Sequence, residues 1–195
     1  MQIVIVRHLP TPWNQKNILQ GKRDLDICPP SREMLQKIKQ NKQFIKQREP
    51  FDHILASTLK RTLQTAVLYG CEPEREPLLD EFDFGPYEGK PKRLLLEKHK
   101  DDWFHHPLKI TFGEGIPALQ KRISSFLEKY SSASSLLLFS HGTWTRALLS
   151  YCRCGHLNNM NKFSIKNNDC IALEYFPGRQ KRENGGFSRV RTTDL

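Results

Sequence analysis

Apolar residues along this chain fall into short runs and helical stripes that alternate. Gln2 to Val6 is a continuous apolar run after its first residue, the signature of a strand covered on both faces. Pro29-Pro30-Ser31 then stops the chain, and Ser31 is placed to cap a helix carrying Met34, Leu35, Ile38 and Ile45, which Pro50 ends. His53 to Ala56 reads as a second strand and Ser57 as another cap. Leu59, Leu63, Ala66 and Val67 follow as a helical stripe that Gly70 closes. Residues 71–115 are the least regular, with a strand-like Pro77-Leu78-Leu79 and a charged, helical stretch from Lys92 to Trp103.

Periodicity returns with Ile116, Leu119, Ile123, Phe126 and Leu127. A serine-rich turn leads into a strand over Leu136 to Phe139, and a helix with Trp144, Ala147, Leu148 and Tyr151 on one face follows, closed by Gly155. Cys170 to Phe176 reads as a last strand. Strands alternating with helices in this way predict an α/β domain with a mainly parallel sheet.

Composition narrows the picture. The 195 residues suffice for one domain with a sizeable core. The longest apolar run is strand-sized, and Ile3 to Val6 is shorter than the core of a signal peptide, so neither a membrane span nor a leader is expected. Five cysteines without paired spacing point to reduced thiols and a cytoplasmic setting. The net charge of +10 raises the question of nucleic acid. Most of the surplus lies in two places, however: the helix from Arg32 to Arg48 and the tail from Pro177 to Leu195. No nucleic-acid-binding motif or interleaved aromatic platform accompanies it, so solvated faces explain it better and nucleic acid is not expected as a partner. The 177–195 tail, rich in Gly, Arg and Asn, reads as poorly ordered unless it docks.

The chemistry gathers where strands end. In open parallel sheets, ligands bind beyond the carboxyl ends of the strands. The first strand ends in Arg7-His8, the second in Ser57 with Arg61 one turn on, and the third in Ser140-His141-Gly142. Two helix starts, two arginines and two histidines would then face one crevice, a site for a phosphate-like dianion. A neutral imidazole is a competent nucleophile, and flanking arginines oppose its protonation. A leaving oxygen needs an acid. "LLDEFDFGPYEG", 78–89, supplies carboxyls among aromatic residues, with Glu81 able to reach the same rim.

Four motifs carry a family resemblance. Arg7-His8 with Thr11, Asn14 and "LQG" at 19–21 resembles the RHGxTxxN…QG opening of the histidine phosphatase superfamily, the phosphoglycerate-mutase-like proteins. "STLKRTLQTA", 57–66, is similar to SxLxRAxQTA. "LLDEFDFGPYEG" is similar to LxExxFGxWEG, and "FSHGTWTRALL", 139–149, to SHGxxxRALL. All four come in the family order. The resemblance implies a three-layer α/β/α sandwich with a mainly parallel central sheet, formed as a single domain over 1–176 with a variable cap over about 90–115. It implies a metal-independent phosphomonoesterase acting on a small anionic phosphorylated metabolite, with His8 as the nucleophile that becomes a phosphohistidine. Arg7, Arg61 and His141 would hold the phosphoryl oxygens, and Glu81 would protonate the leaving group. Thr11, Asn14, Gln20, Gly21, Gly142 and Thr143 would line the pocket. Neither a metal nor another cofactor is implied, because arginines supply the positive charge.

The chain departs from the family pattern at Leu9-Pro10, which replace a glycine and a polar residue. The expectation is a change in loop path or substrate choice rather than in chemistry. His105-His106 beside Trp103-Phe104 reads as surface or packing. Cys152-Arg153-Cys154-Gly155-His156 lacks zinc spacing. "FGEGIPA", 112–118, reads as a helix start rather than a dinucleotide loop, with Glu114 a weak site candidate. A phosphoglycerate mutase is the nearest rival function, disfavoured by the short span of about 50 residues between the third and fourth motifs. A non-catalytic binding protein on the same fold is a second rival. The sequence leaves monomer and homodimer equally open.

Overall fold

The computed structural model describes residues 1–176 and the backbone of 191–192. Its elements run β1 (Gln2–Arg7), α1 (Pro12–Gln15), α2 (Arg32–Lys46), β2 (His53–Ala56), α3 (Lys60–Tyr69) and β3 (Glu74–Arg75). They continue α4 (Lys92–His105), α5 (Ile116–Lys129), β4 (Ser135–Ser140), α6 (Gly142–Cys154), β5 (Cys170–Glu174) and β6 (Arg191–Thr192). The strands form one sheet in the order β3-β2-β4-β1-β5-β6. β3, β2, β4 and β1 pair in parallel, and β5 and β6 add antiparallel at one edge. The expected tail over 177–195 lies, apart from β6, outside the described residues.

Alternation along the central strands makes two cores. Ile3, Ile5, Leu136 and Leu138 face one side, against α5, α6 and the cap helix α4. Val4, Val6, Leu137 and Phe139 face the other, against α2 and α3. Successive strand side chains point to opposite faces, so strands that are apolar throughout need helices on both sides. The result is the three-layer α/β/α sandwich. Fully buried side chains of this size contribute about 1.5–3 kcal/mol each, and the two covered faces fix where the strands end.

Several local expectations are corrected. Ser31 does cap α2, accepting the Met34 N–H, but α3 begins at Lys60 after Leu59. Ser57 instead donates to Asp80 at 2.7 Å and accepts the Leu59 N–H. Pro77–Leu79 is a 3-10 turn, not a strand, because the Glu76 carboxylate accepts the Leu78 N–H and bends the chain. The third edge place is taken by Glu74–Arg75 against Leu55–Ala56. Leu35 and Val67, counted in helical stripes, are 50% and 70% exposed. The last long strand stops at Glu174.

Candidate active site

β1 and β4 are paired in register, Arg7 beside Ser140. The residues just beyond them, His8 and His141, therefore emerge together at one edge of the sheet. Their rings meet edge to face with centroids 5.3 Å apart, both fully or almost fully buried. His8 Nδ1 lies 2.6 Å from the Leu9 carbonyl oxygen. A carbonyl only accepts, so Nδ1 carries the proton and the Nε2 lone pair is free. Arg61 Nε–H donates to His141 Nδ1 at 3.2 Å, which puts the His141 proton on Nε2. That atom is buried and has no partner among the described residues.

Arg61 is itself almost fully buried. Its Nη1 and Nη2 donate to the Arg23 and Gly21 carbonyls, both at 2.8 Å. Burial lowers its pKa to about 10, opposed mainly by Glu81. Gly21 must be glycine: its φ is +54° and a Cβ would fall 1.8 Å from the Glu88 carboxylate, which accepts the Lys22 N–H across the same loop. Arg7 donates through Nη1 to the Ile165 carbonyl, and its buried Nε has no partner among the described residues. Gly142 lets it lie close, since a Cβ there would stand 3.1 Å from the guanidinium carbon. Burial first, then Arg61 and Arg7, drives the His8 imidazole well below its ordinary pKa, and His141 follows for the same leading reasons. Both rings are therefore neutral, as the sequence suggested, though burial outweighs the arginines.

Glu81 lies across the start of α6. Its Oε2 accepts the Thr143 N–H at 3.1 Å, and its Oε1 accepts the Trp144 N–H at 3.0 Å and the Phe82 N–H at 2.9 Å. A carboxylate has about four acceptor sites, so one remains open. The segment carrying Glu81 is pinned from behind: Arg122 donates to the Leu78 and Asp80 carbonyls while holding Glu114 at 2.8 Å. Glu114 is thus an anchor for Arg122 and not part of the cavity wall.

These groups open on a cavity of about 570 Å³. Of the residues expected there, Arg7, His8, Asn14, Gln20, Gly21, Arg61, Glu81, Gly142 and Thr143 line it. His141 stands behind the wall, against His8. Thr11 is not on the wall either: it is fully buried and forms a capping box with Asn14 at the start of α1. Leu9 and Pro10 also face away. Leu9 packs into the core beside Val4, Val6 and Ile38, and its backbone shows no positive φ, so the side chain is accommodated here without left-handed backbone.

The wall also includes residues that were given no role in advance, one of them the arginine of the 139–149 motif. Arg146 donates to Gly142 O, Asn161 Oδ1 and Thr143 Oγ1 and lies over the Trp103 ring. It is the arginine of the SHGxxxRALL-like motif, which was the signal available for it. Asn161, Ile165, Lys166 and Asn167 come from the stretch before β5. Asn167 donates to the His8 carbonyl at 3.0 Å, and the Asn168 N–H to that of Arg7 at 3.1 Å. Asn168 is held in turn by the Tyr69 hydroxyl at 2.6 Å and by Asn41. Lys92, Trp103 and Phe104 bring the cap to the wall, whereas His105 and His106 line a separate cavity of about 270 Å³. Among the described residues, no His, Cys, Asp and Glu cluster is arranged to hold a metal ion, and no helix is long and apolar enough to cross a membrane.

Comparison with known proteins decides the kinship. The profile of the histidine phosphatase superfamily, branch 1, matches residues 3–184. The chain belongs to that superfamily. It is 31% identical over 159 residues to a protein of Hydrogenobacter thermophilus provisionally named phosphoserine phosphatase 2, covering 76% of each chain. It is 28% identical over 163 residues to a protein of Enterobacter sp. provisionally named phosphoglycerate mutase GpmB, covering 77% of this chain and 74% of that one. The alpha-ribazole phosphatase of Shigella flexneri shares its fold with a TM-score of 0.71 at 24% identity, covering 91% of this chain and 92% of that one. As a histidine phosphatase, the chain is an enzyme, and the strand-end crevice holds the residues that its motifs bring together.

Proposed function

We propose that the protein hydrolyses a small phosphorylated metabolite through a phosphohistidine on His8, without a metal. The observation that carries this reading is the His8 tautomer: Nδ1 is spent on the Leu9 carbonyl, and Nε2, a neutral lone pair, belongs to a cavity wall that also holds Arg7, Arg61 and Glu81. Nε2 attacks phosphorus, forming the N–P bond as the ester P–O bond breaks. The departing oxygen takes the proton held at the open acceptor site of the Glu81 carboxyl. Water then attacks phosphorus, giving its proton back to Glu81 as the N–P bond breaks and inorganic phosphate leaves. Arg7 Nε–H, the unspent Arg61 N–H groups and His141 Nε2–H are the donors available to the charge on the phosphoryl oxygens.

Hydrolysis is favoured over mutase chemistry by the lightness of the cap. Over 92–109 it is a single helix and one 3-10 turn, and exposed Phe104 and Lys166 are part of the wall, so water has a route to the phosphohistidine. The relatives above carry both phosphatase and mutase names, so the test must separate them. A panel of phosphomonoesters is incubated with the wild type and with His8→Ala. Phosphate release by the wild type and its loss in His8→Ala is the expected result. Activity retained in His8→Ala overturns the mechanism. Interconversion of 2- and 3-phosphoglycerate faster than phosphate release overturns the hydrolase assignment.

A further inference from the structure

The cavity wall carries five cationic side chains, Arg7, Arg61, Lys92, Arg146 and Lys166, and one acidic one, Glu81. None of the five forms a salt bridge among the described residues. Glu81 accepts three backbone N–H groups, two at the start of α6 and one from Phe82. Arg7 and Arg61 stand around His8, where the transferring phosphoryl group belongs in the reading above. That leaves Arg146, Lys92 and Lys166 toward the cap and mouth, more positive charge than one phosphomonoester needs.

Arg146 is set like a fixed part. Three of its five N–H groups are spent, on Gly142 O, Asn161 Oδ1 and Thr143 Oγ1, and its guanidinium lies over Trp103. Two N–H groups therefore remain for a ligand, in the planar fork that suits carboxylate or phosphate. Lys92 starts α4, with its backbone N–H on the Asn17 carbonyl at 2.8 Å. Its ammonium pKa is lowered first by burial and then by Arg146 and Arg7, so these cations lie close enough to act on one another. Aromatic Trp103, Phe104 and Phe163 complete this end.

We propose that the substrate is a phosphomonoester bearing a second anionic group, held at its far end by Arg146 and Lys92 with Lys166 at the mouth, and bearing no cationic group. An ammonium, as in phosphoserine, would enter a wall with a fivefold cationic lining and its single carboxylate already engaged. This inference rests on the phosphatase reading for the inner half of the site, but its test does not depend on turnover. The shared chemistry is a second anion, either a carboxylate or a further phosphate.

Binding is measured calorimetrically at low salt on His8→Ala, and kcat/KM on the wild type, with matched pairs. Glycerol 3-phosphate against 3-phosphoglycerate exchanges a hydroxymethyl group for a carboxylate; fructose 6-phosphate against fructose 1,6-bisphosphate adds a phosphate; 3-phosphoglycerate against phosphoserine exchanges a hydroxyl for an ammonium. At least one second anion is expected to raise affinity tenfold or more, and the pair that does so identifies the group. Lys92→Gln and Arg146→Gln are expected to bring that ratio below threefold, as is 0.5 M salt. Ratios within twofold for both anion pairs overturn the inference, as does phosphoserine binding as tightly as 3-phosphoglycerate. Discrimination kept in a wild type that hydrolyses nothing overturns the phosphatase reading alone. Equal hydrolysis of glycerol 3-phosphate and 3-phosphoglycerate, with equal binding, overturns the second-anion site alone.

Discussion

The floor of the cavity and its cap are built to different standards. On the floor, three catalytic candidates are held from more than one side: Arg61 by two carbonyls and His141, His8 by Leu9 and Asn167, Glu81 by three N–H groups. The cap helix starts at Pro91 without a side-chain cap and is interrupted at His99, whose φ of −130° and ψ of 19° leave the helical range. There the imidazole meets the Tyr87 hydroxyl at 2.8 Å, and rings hold the rest: Trp103 stacks on Phe112, and Phe82 and Phe84 pack beside it. Hydrogen bonds fix angles and protons more narrowly than ring packing does. The floor can therefore set a reaction, while the cap sets the size and charge of what reaches it.

The sharpest way to break the floor is Arg61→Ala. It strands the Gly21 and Arg23 carbonyls and frees the His141 tautomer. The expected loss is about 10²–10³-fold in kcat/KM, the scale of a lost oxyanion donor, together with about 1–3 kcal/mol of stability from unsatisfied buried groups. Steady-state kinetics and thermal melts check both. Arg61→Lys should rescue little, because a single ammonium cannot make the three-way fork.

Acid attacks the floor more gradually. His8 and His141 have pKa values well below 6.5 in the folded chain, so the unfolded chain binds more protons once the pH falls under about 6.5. Their contribution to stability is fully present above that pH and declines as pH falls toward their folded values, by about 1.4 kcal/mol per unit for each ring. Chemical denaturation between pH 7.5 and 5 should show this slope, and His141→Gln should remove about half of it. A slope that His141→Gln leaves unchanged would place the titration elsewhere.

Much of the floor was legible because strand ends and helix starts announce themselves. Arg7-His8, Arg61 and Ser140-His141 each follow an apolar run, and the parallel register carries them to one edge. What was not legible came from the antiparallel edge. β5 pairs Cys170 with Val6, so the residues before β5, rather than after it, arrive beside His8. That is how Asn167, Lys166 and Ile165 reach the wall, and a rule about carboxyl ends of parallel strands passes over them. Thr11 illustrates the reverse failure. A hydroxyl one turn from the nucleophile invites a role in binding, yet it sits next to Pro12 at a helix start, where capping claims it. Leu9 likewise joins the Val4 and Val6 side of the core, opposite to where continued alternation would put it, because the chain turns after β1 and its N–H is taken by Thr65 Oγ1 at 3.0 Å.

The antiparallel edge can be probed through Tyr69→Phe. The Tyr69 hydroxyl donates to Asn168 Oδ1 and accepts from Asn41 at 2.7 Å, deep in the α2–α3 side of the sheet. Its removal leaves a buried acceptor and is expected to cost about 1–2 kcal/mol in a melt. Because Asn168 backs the segment that bonds Arg7 and His8, kcat should fall along with stability. An intact kcat at lowered stability would separate this network from the floor.

The cap gives the smallest effect and the clearest contrast. Phe104 lines the mouth but is 36% exposed, and its neighbours on the wall make no hydrogen bond through it. Phe104→Ala should change stability by less than about 0.5 kcal/mol, the range of surface substitutions. Its consequence should lie in KM, since truncating the ring widens the mouth without touching Arg7, His8, Arg61 or Glu81. If kcat fell and KM held, the ring would be acting on the bound phosphoryl group, and the division between a floor that reacts and a cap that selects would fail at this position.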